Sequence, residues 1–388
     1  MCCIPTILPV VHTCLRQETL VDAFNGPVTI MKQRVYWIDY LKAFTIFMVV
    51  LGHMLSCDAI ASTAGKWIYL NLIIPFHMPV FAVLSGWFFS AKDNFTTFLK
   101  KKTLGIVVPY LIWGALWFFC KPLICLFAMG QEIHLSTLIW QLWFLLYDGY
   151  CLYGWWFLRA LFLCFLTAYL SVKVCKSKML LAGLGSCLIL YILMWTGIVP
   201  NMPEKDSALK GFFYLYPFFW TGIAFRNKEK WMDDHRWLLP VSAVVFVVML
   251  FLWKETDSFY AMNTSALETT GANDIVGLSV VWKTVWRYFV GAIGSLSLVL
   301  CFKWYLAEGR FPLVMCIGQE TLGIYILQSL VYWSLPSSPI FPAWGNWGNF
   351  ALAWVVSILI VLVSYGIVHF TTRNRYAGLL LWGKRILV

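Results

Sequence analysis

Long apolar runs separated by short polar, mostly basic segments dominate this chain. Crossing about 30 Å of hydrocarbon at about 1.5 Å per residue takes about 20 mostly apolar residues. Ten segments answer to that pattern: 41–57, 68–90, 103–128, 153–172, 179–199, 211–226, 236–253, 281–302, 311–334 and 349–371, the sixth and seventh being short. The runs are continuous rather than alternating, so the pattern predicts helices and not a barrel. A further apolar stretch, 133–147, is too short to cross and reads as an interfacial or re-entrant helix. The predicted fold is therefore all-α, a polytopic membrane helix bundle with about ten transmembrane helices and both termini cytoplasmic.

Composition excludes the soluble alternatives. Of 388 residues, 61% are hydrophobic and 12% charged, and the mean hydropathy is +0.75, whereas a soluble domain is about a quarter charged. The 18% of aromatic residues suits a chain whose rings sit at membrane interfaces. A net charge of +11 would suggest nucleic acid in a soluble protein, but the charges are not spread evenly. With the N-terminus inside, 21 of the 29 basic residues fall in the alternate segments that would face the cytoplasm. That is the positive-inside pattern, and nucleic acid is not an expected partner. Residues 1–30 differ from the rest and carry no basic region ahead of their apolar stretch, so a cleaved signal is not expected. They read as an N-terminal extension, non-native or disordered, with Met31 a plausible natural start and 31–388 the membrane domain. The 12 cysteines show no metal-binding spacing, and no metal is expected.

Ionisable groups within spans are costly and mark candidate chemistry. The first span reads RVYWIDYLKAFTIFMVVLGHML. Lys42 and His53 are offset by only about 20° around that helix and separated by about 16 Å along it. They can serve opposite ends of one elongated ligand, with Asp39 placed to orient Lys42. The competing reading is a histidine bonded to a neighbouring helix and a lysine that snorkels. His77 lies between Pro75 and Pro79, where backbone carbonyls are freed. Ser85-Gly86 reads as a close helix approach. Lys100, Lys101 and Lys102 stand at the cytoplasmic mouth of the third span, as topology signals, lipid anchors or a phosphate site. Arg159, Arg287 and Glu320 lie in or near spans, and an Arg and a Glu in such a bundle can be each other's partners. Gln328, one turn after Tyr325, is a neutral group suited to a hydrogen bond between helices.

Over residues 34–388 the sequence resembles the acyltransferase 3 family of membrane acyltransferases. Lys42 and His53 match its Arg/Lys-x10-His signature, preceded by Arg34, Trp37 and Asp39. IPFHMPVFAVLSGWFF, the basic run before Pro109-Tyr110, WWFLRALF, FFWTGIAFR and GQETLGIYIL follow in family order. Gln328 departs from the pattern, since many members carry histidine there, and Arg159 stands where other residues are common. The resemblance implies transfer of an acyl group, usually acetyl, from cytoplasmic acyl-CoA to a hydroxyl of a cell-surface polysaccharide or lipid-linked glycan. His53 would be the general base or a transient acyl carrier, with Asp39 and His77 as further catalytic candidates, His77 as an oxyanion donor. Lys42 and Lys100–Lys102 would receive the donor, acetyl-CoA in the simplest case. Arg159, Arg287, Glu320 and Tyr325 are candidates for substrate or oxyanion contacts. A bacterial cytoplasmic (inner) membrane is the expected location. Membrane lipids, the glycan and a second copy in a homodimer are the expected partners. Two other readings stay open: a transporter or exporter of a lipid-linked glycan or anionic metabolite, and a non-catalytic sensor or scaffold. The outer loops 254–280 and 335–348 carry aromatics suited to sugar stacking.

Overall fold

The computed structural model describes residues 35–129, 139, 155–175, 178–195, 208–262, 276–336, 338–340 and 344–384. Regular structure among them is helical. The extension 1–30, Cys151 and nearly all of the expected re-entrant stretch 133–147 lie outside the described residues.

The central element is α1 (Tyr36–Ser56). Its Leu41, Ile46, Val50 and Met54 are fully buried, because every side of this helix meets another rather than lipid. Next come α2 (Thr63–Ile68), a π-helical turn at Tyr69–Ile73, and α3 (His77–Trp87). Together these form one broken span. Then follow α4 (Phe95–Lys102), a second π-helical turn at Thr103–Val107, and α5 (Val108–Met129). Later elements are α6 (Trp156–Val174), α7 (Met179–Trp195), α8 (Ala208–Asn227), α9 (Glu229–Asp234) and α10 (Leu238–Leu252). The chain continues with α11 (Val276–Tyr305), α12 (Pro312–Gln319), α13 (Thr321–Ser334), α14 (Gly345–Thr371) and α15 (Arg375–Trp382).

Each of the ten predicted segments coincides with helix, but not all of these helices, as far as they are described, are long and apolar enough to cross. Among the described residues six helices are long and apolar enough to cross, or seven if α12 and α13 count as one. Of the rest, α7 has 17 residues and α10 has 15. The third, α8, carries Lys210, Pro217 and Arg226 within its 20 residues. The apolar surface confirms the solvent. Leu184, Leu188 and Ile189 on α7, Val244, Val248 and Phe251 on α10, and Leu359 and Val363 on α14 are all exposed. Such a surface is stable only in lipid. The protein is an integral membrane protein.

Two close approaches fix the middle of the bundle. Gly86 of α3 and Gly222 of α8 each lie on the other helix's backbone, so a Cβ on either would run into Phe219 O or Val83 O. This is small-residue packing of the kind expected at Ser85-Gly86. Gly318, at the end of α12, rests in the same way on the backbone of Asp39 in α1. Just beyond it the chain turns by 76° into α13, and Glu320 at the bend is ion-paired with Lys384.

Candidate active site

A cavity of about 290 Å³ opens between α1, α3, the second π-helical turn, α6 and α13. Lys42 is on its wall with Phe81, Ile106, Phe157, Thr321 and Tyr325 among the other lining residues. Its ammonium stands 5.5 Å from the centre of the Phe88 ring, which also faces the cavity. The bend at Glu320 brings the start of α13 here. Thr321 and Leu322 line the cavity, and the N–H groups of a helix's first turn have no partner within that helix. A cation and the positive end of a helix therefore share an otherwise apolar chamber, which suits the anionic part of an amphipathic ligand. Ser85 also lines the wall, its hydroxyl donated to Phe81 O at 2.8 Å.

His53 is not part of that wall. It meets α13 instead, with Nδ1 2.8 Å from Gln328 Oε1 and its ring 5.1 Å from that of Tyr332. Tyr325, Gln328 and Tyr332 recur at helical spacing on the face of α13 toward α1. Tyr325, a cavity-lining residue, thus stands one turn before the residue bonded to His53. Both readings of Lys42 and His53 contain part of the answer. The histidine is bonded to a neighbouring helix, and the lysine lines an internal cavity.

The Acyltransferase domain model matches residues 35–369. The chain belongs to the acyltransferase 3 family. It is a transferase that moves acyl groups other than aminoacyl groups. Nodulation protein NolL of Mesorhizobium japonicum is 23% identical over 351 residues, covering 85% of each chain. NolL of Sinorhizobium fredii is 28% identical over 311 residues, covering 76% of this chain and 77% of its own. No solved structure matches.

The remaining candidate residues of this acyltransferase separate into groups. His77 is buried and its Nδ1 donates to Ile73 O at 2.9 Å, closing the break that Pro75 opens. Its neighbour Met78, not His77 itself, reaches the cavity wall. The three lysines of the basic run diverge. Lys100 is exposed, Lys101 pairs with Asp93 at 2.6 Å, and Lys102 lies 3.3 Å from the centre of the Phe165 ring, a cavity-lining residue. Arg159 lines a second cavity of about 260 Å³, which shares Ile106 and Leu158 with the first. Its guanidinium lies 5.9 Å from the Tyr110 ring centre.

Arg287 and Glu320 are not each other's partners. Arg287, only 3% exposed, donates through Nε to Asp257 O at 2.6 Å and through Nη2 to Thr256 O at 3.2 Å and Ala261 O at 3.4 Å. It holds the segment between α10 and α11, while Glu320 holds α15. Lys210 assists on the same segment by donating to Tyr260 O at 3.2 Å. Phe259 there stacks on Trp156 at 4.6 Å. Both Phe259 and Trp253 are buried, so these aromatics of the outer loop serve the core, leaving Tyr260, Trp344 and Trp347 exposed. Sequence reasoning passed over Lys210 because a lysine two residues into an apolar helix reads as a flanking charge. It passed over Lys384 because its partner is 64 residues away. Among the described residues no group of His, Cys, Asp and Glu is arranged to hold a metal ion.

Proposed function

We propose that the enzyme moves a short acyl group, acetyl in the simplest case, from acyl-CoA to a hydroxyl of a cell-surface polysaccharide or lipid-linked glycan. It would work in the bacterial cytoplasmic membrane. The observation that carries this reading is the cavity lined by both Lys42 and Tyr325, the latter one helical turn from the partner of His53. Its volume suits an acyl-pantetheine arm and not a whole CoA, so the nucleotide stays outside, near Lys100 and Lys102. Lys42 and the first turn of α13 then meet the negative charge that follows the nucleotide.

A sugar hydroxyl is a weak nucleophile at neutral pH and needs a base near pH 7, which an imidazole supplies. His53 takes the hydroxyl proton as the oxygen attacks the thioester carbonyl. Collapse of the tetrahedral adduct breaks the C–S bond, and the departing thiolate receives the proton from His53. The products are a glycan ester and CoA thiol, with His53 restored to its neutral form.

The test is purified protein in nanodiscs, given radiolabelled acetyl-CoA and the envelope glycan fraction of a deletion strain. Label should pass to glycan with the wild type and not with His53→Asn. Mass spectrometry of surface glycans from wild-type and deletion strains should show the ester only in the former. Wild-type transfer by His53→Asn would remove the histidine from the mechanism, and identical glycans would remove the acceptor class.

A further inference from the structure

We propose that Gln328 is a positioning residue that fixes the tautomer of His53 without placing a charge beside it. The inference rests on the reading of His53 as the base and deepens it.

The argument follows from which atoms can donate. Gln328 is fully buried, and its Nε2 lies 3.1 Å from Tyr325 O and 2.8 Å from Ser329 Oγ. A backbone carbonyl only accepts, so the amide's NH2 end must face Tyr325. A flipped amide would set two oxygens against each other at that distance. The Ser329 hydroxyl is itself committed, donating to Tyr325 O at 3.0 Å, so its oxygen is left to accept from Gln328. The amide orientation is thus over-determined by two neighbours on its own helix. Oε1 is therefore the atom that faces His53 at 2.8 Å.

Oε1 also only accepts, so the proton in that bond belongs to His53 Nδ1. A neutral imidazole carries one proton, which leaves the lone pair on Nε2. Among the described residues Nε2 makes no hydrogen bond, and it is the nitrogen available to a substrate hydroxyl. The Tyr332 ring, one turn beyond Gln328, packs 5.1 Å from the imidazole and restricts its rotation. This is the orienting function that a carboxylate performs in catalytic triads, with one difference. A carboxylate stabilises the imidazolium by its charge, whereas an amide directs the proton without adding charge. An imidazolium beside an amide is less stabilised than one beside a carboxylate, so its proton passes more readily to the departing thiolate.

Three variants and one spectrum test this. In 15N-histidine NMR of the wild-type protein in nanodiscs, assigned by loss of a signal in His53→Asn, His53 should be the Nδ1–H tautomer. In Gln328→Leu that signal should become a mixture of tautomers. An Nε2–H form in the wild type would overturn the proposal, and so would an unchanged spectrum in Gln328→Leu. Acetyl transfer by Gln328→Leu should lose kcat on the order of 10²-fold or more, as expected of a base no longer held in one tautomer. Its KM for acetyl-CoA should not move, since Gln328 is not on the cavity wall. A rise in KM with kcat retained would mean a purely structural role. Gln328→Glu keeps an acceptor toward Nδ1 and adds charge, but loses the donation to Tyr325 O, so the activity it retains should be partial and confined to high pH. The acidic limb of its kcat/KM profile should lie about 1–3 units higher than in the wild type. A superimposable profile would show that neutrality at 328 is irrelevant. The spectrum needs no substrate, so activity retained in His53→Asn would defeat the base reading while leaving the tautomer result to stand or fall separately.

Discussion

Lys42 and His53 stand on one face of α1, and each meets a different part of α13. Lys42 shares the cavity with Thr321 and Tyr325, while His53 is bonded to Gln328. This separation predicts separable kinetics. Lys42→Ala should raise the KM for acetyl-CoA about 10-fold, the worth of one charge-assisted contact, and leave kcat within a small factor. Reversing Lys100 and Lys102 to Glu should also raise KM, whereas Lys101→Glu alone should do less, because that lysine is engaged by Asp93. Steady-state CoA release measured against donor concentration checks both. The spacing of Lys42 and His53 was legible in the sequence because helix geometry alone sets it. The role of Gln328 was not, because a glutamine in an apolar run has the same appearance whether it bridges helices or orients a base. Only the direction of its two neighbours' hydrogen bonds distinguishes these.

At the scale of elements, the bend between α12 and α13 decides where the site lies. Hydropathy shows 311–334 as one uninterrupted run, yet the chain turns by 76° within it. Gly318 permits the turn to sit on α1, and the pair of Glu320 with Lys384 ties it to α15. Gly318→Ala places a methyl group against the Asp39 backbone and should cost about 1–3 kcal/mol. It should lower the thermal midpoint in detergent and reduce donor binding together. For the ion pair, Glu320→Gln leaves Lys384 without its counter-charge. We expect a larger loss of stability from Lys384→Met, which leaves the buried Glu320 carboxylate unpaired, than from Glu320→Gln, which leaves Lys384 partly exposed, or from removing both. A thermal-shift double-mutant cycle measures this directly. The ten helical segments were visible in the apolar pattern, but breaks, π-helical turns and shortened helices do not change hydropathy.

For the molecule as a whole, contacts sort the polar segments into the same two ends as the charges do. At one end Phe311 N donates to Tyr40 OH at the start of α1, Lys303 pairs with Asp233 and Glu229, and Lys384 reaches Glu320. At the other, Ile340 N donates to Ala59 O, Ser62 bonds to Asn346, and Trp253 bonds to Leu70 O. The positive-inside rule assigns the first end to the cytoplasm. Cysteines introduced at Lys92 and Glu308 should therefore be labelled only from inside, and one at Trp347 only from outside, by a membrane-impermeant maleimide on intact cells. Arg287 belongs to the outer end, where it holds three carbonyls of 256–261. Arg287→Met should expose that segment to protease while leaving kcat within a small factor, which separates a clamp from an oxyanion donor.

Solvent, family and the axial spacing of Lys42 and His53 were all legible in the sequence. Hydropathy, the one-sided distribution of basic residues and the Lys42–His53 spacing are local properties, each readable within one helix or one loop. Packing separates the costly polar groups that meet α13 beside the cavity from those that hold the fold. Lys42 and His53 face α13 across the site, whereas Arg287, Lys210, Glu320 and Lys384 are consumed in tying segments together. The physical reason is that a buried polar group is defined by its partner. For Gln328 and His53 that partner lies 275 residues away along the chain, and packing alone brings them together.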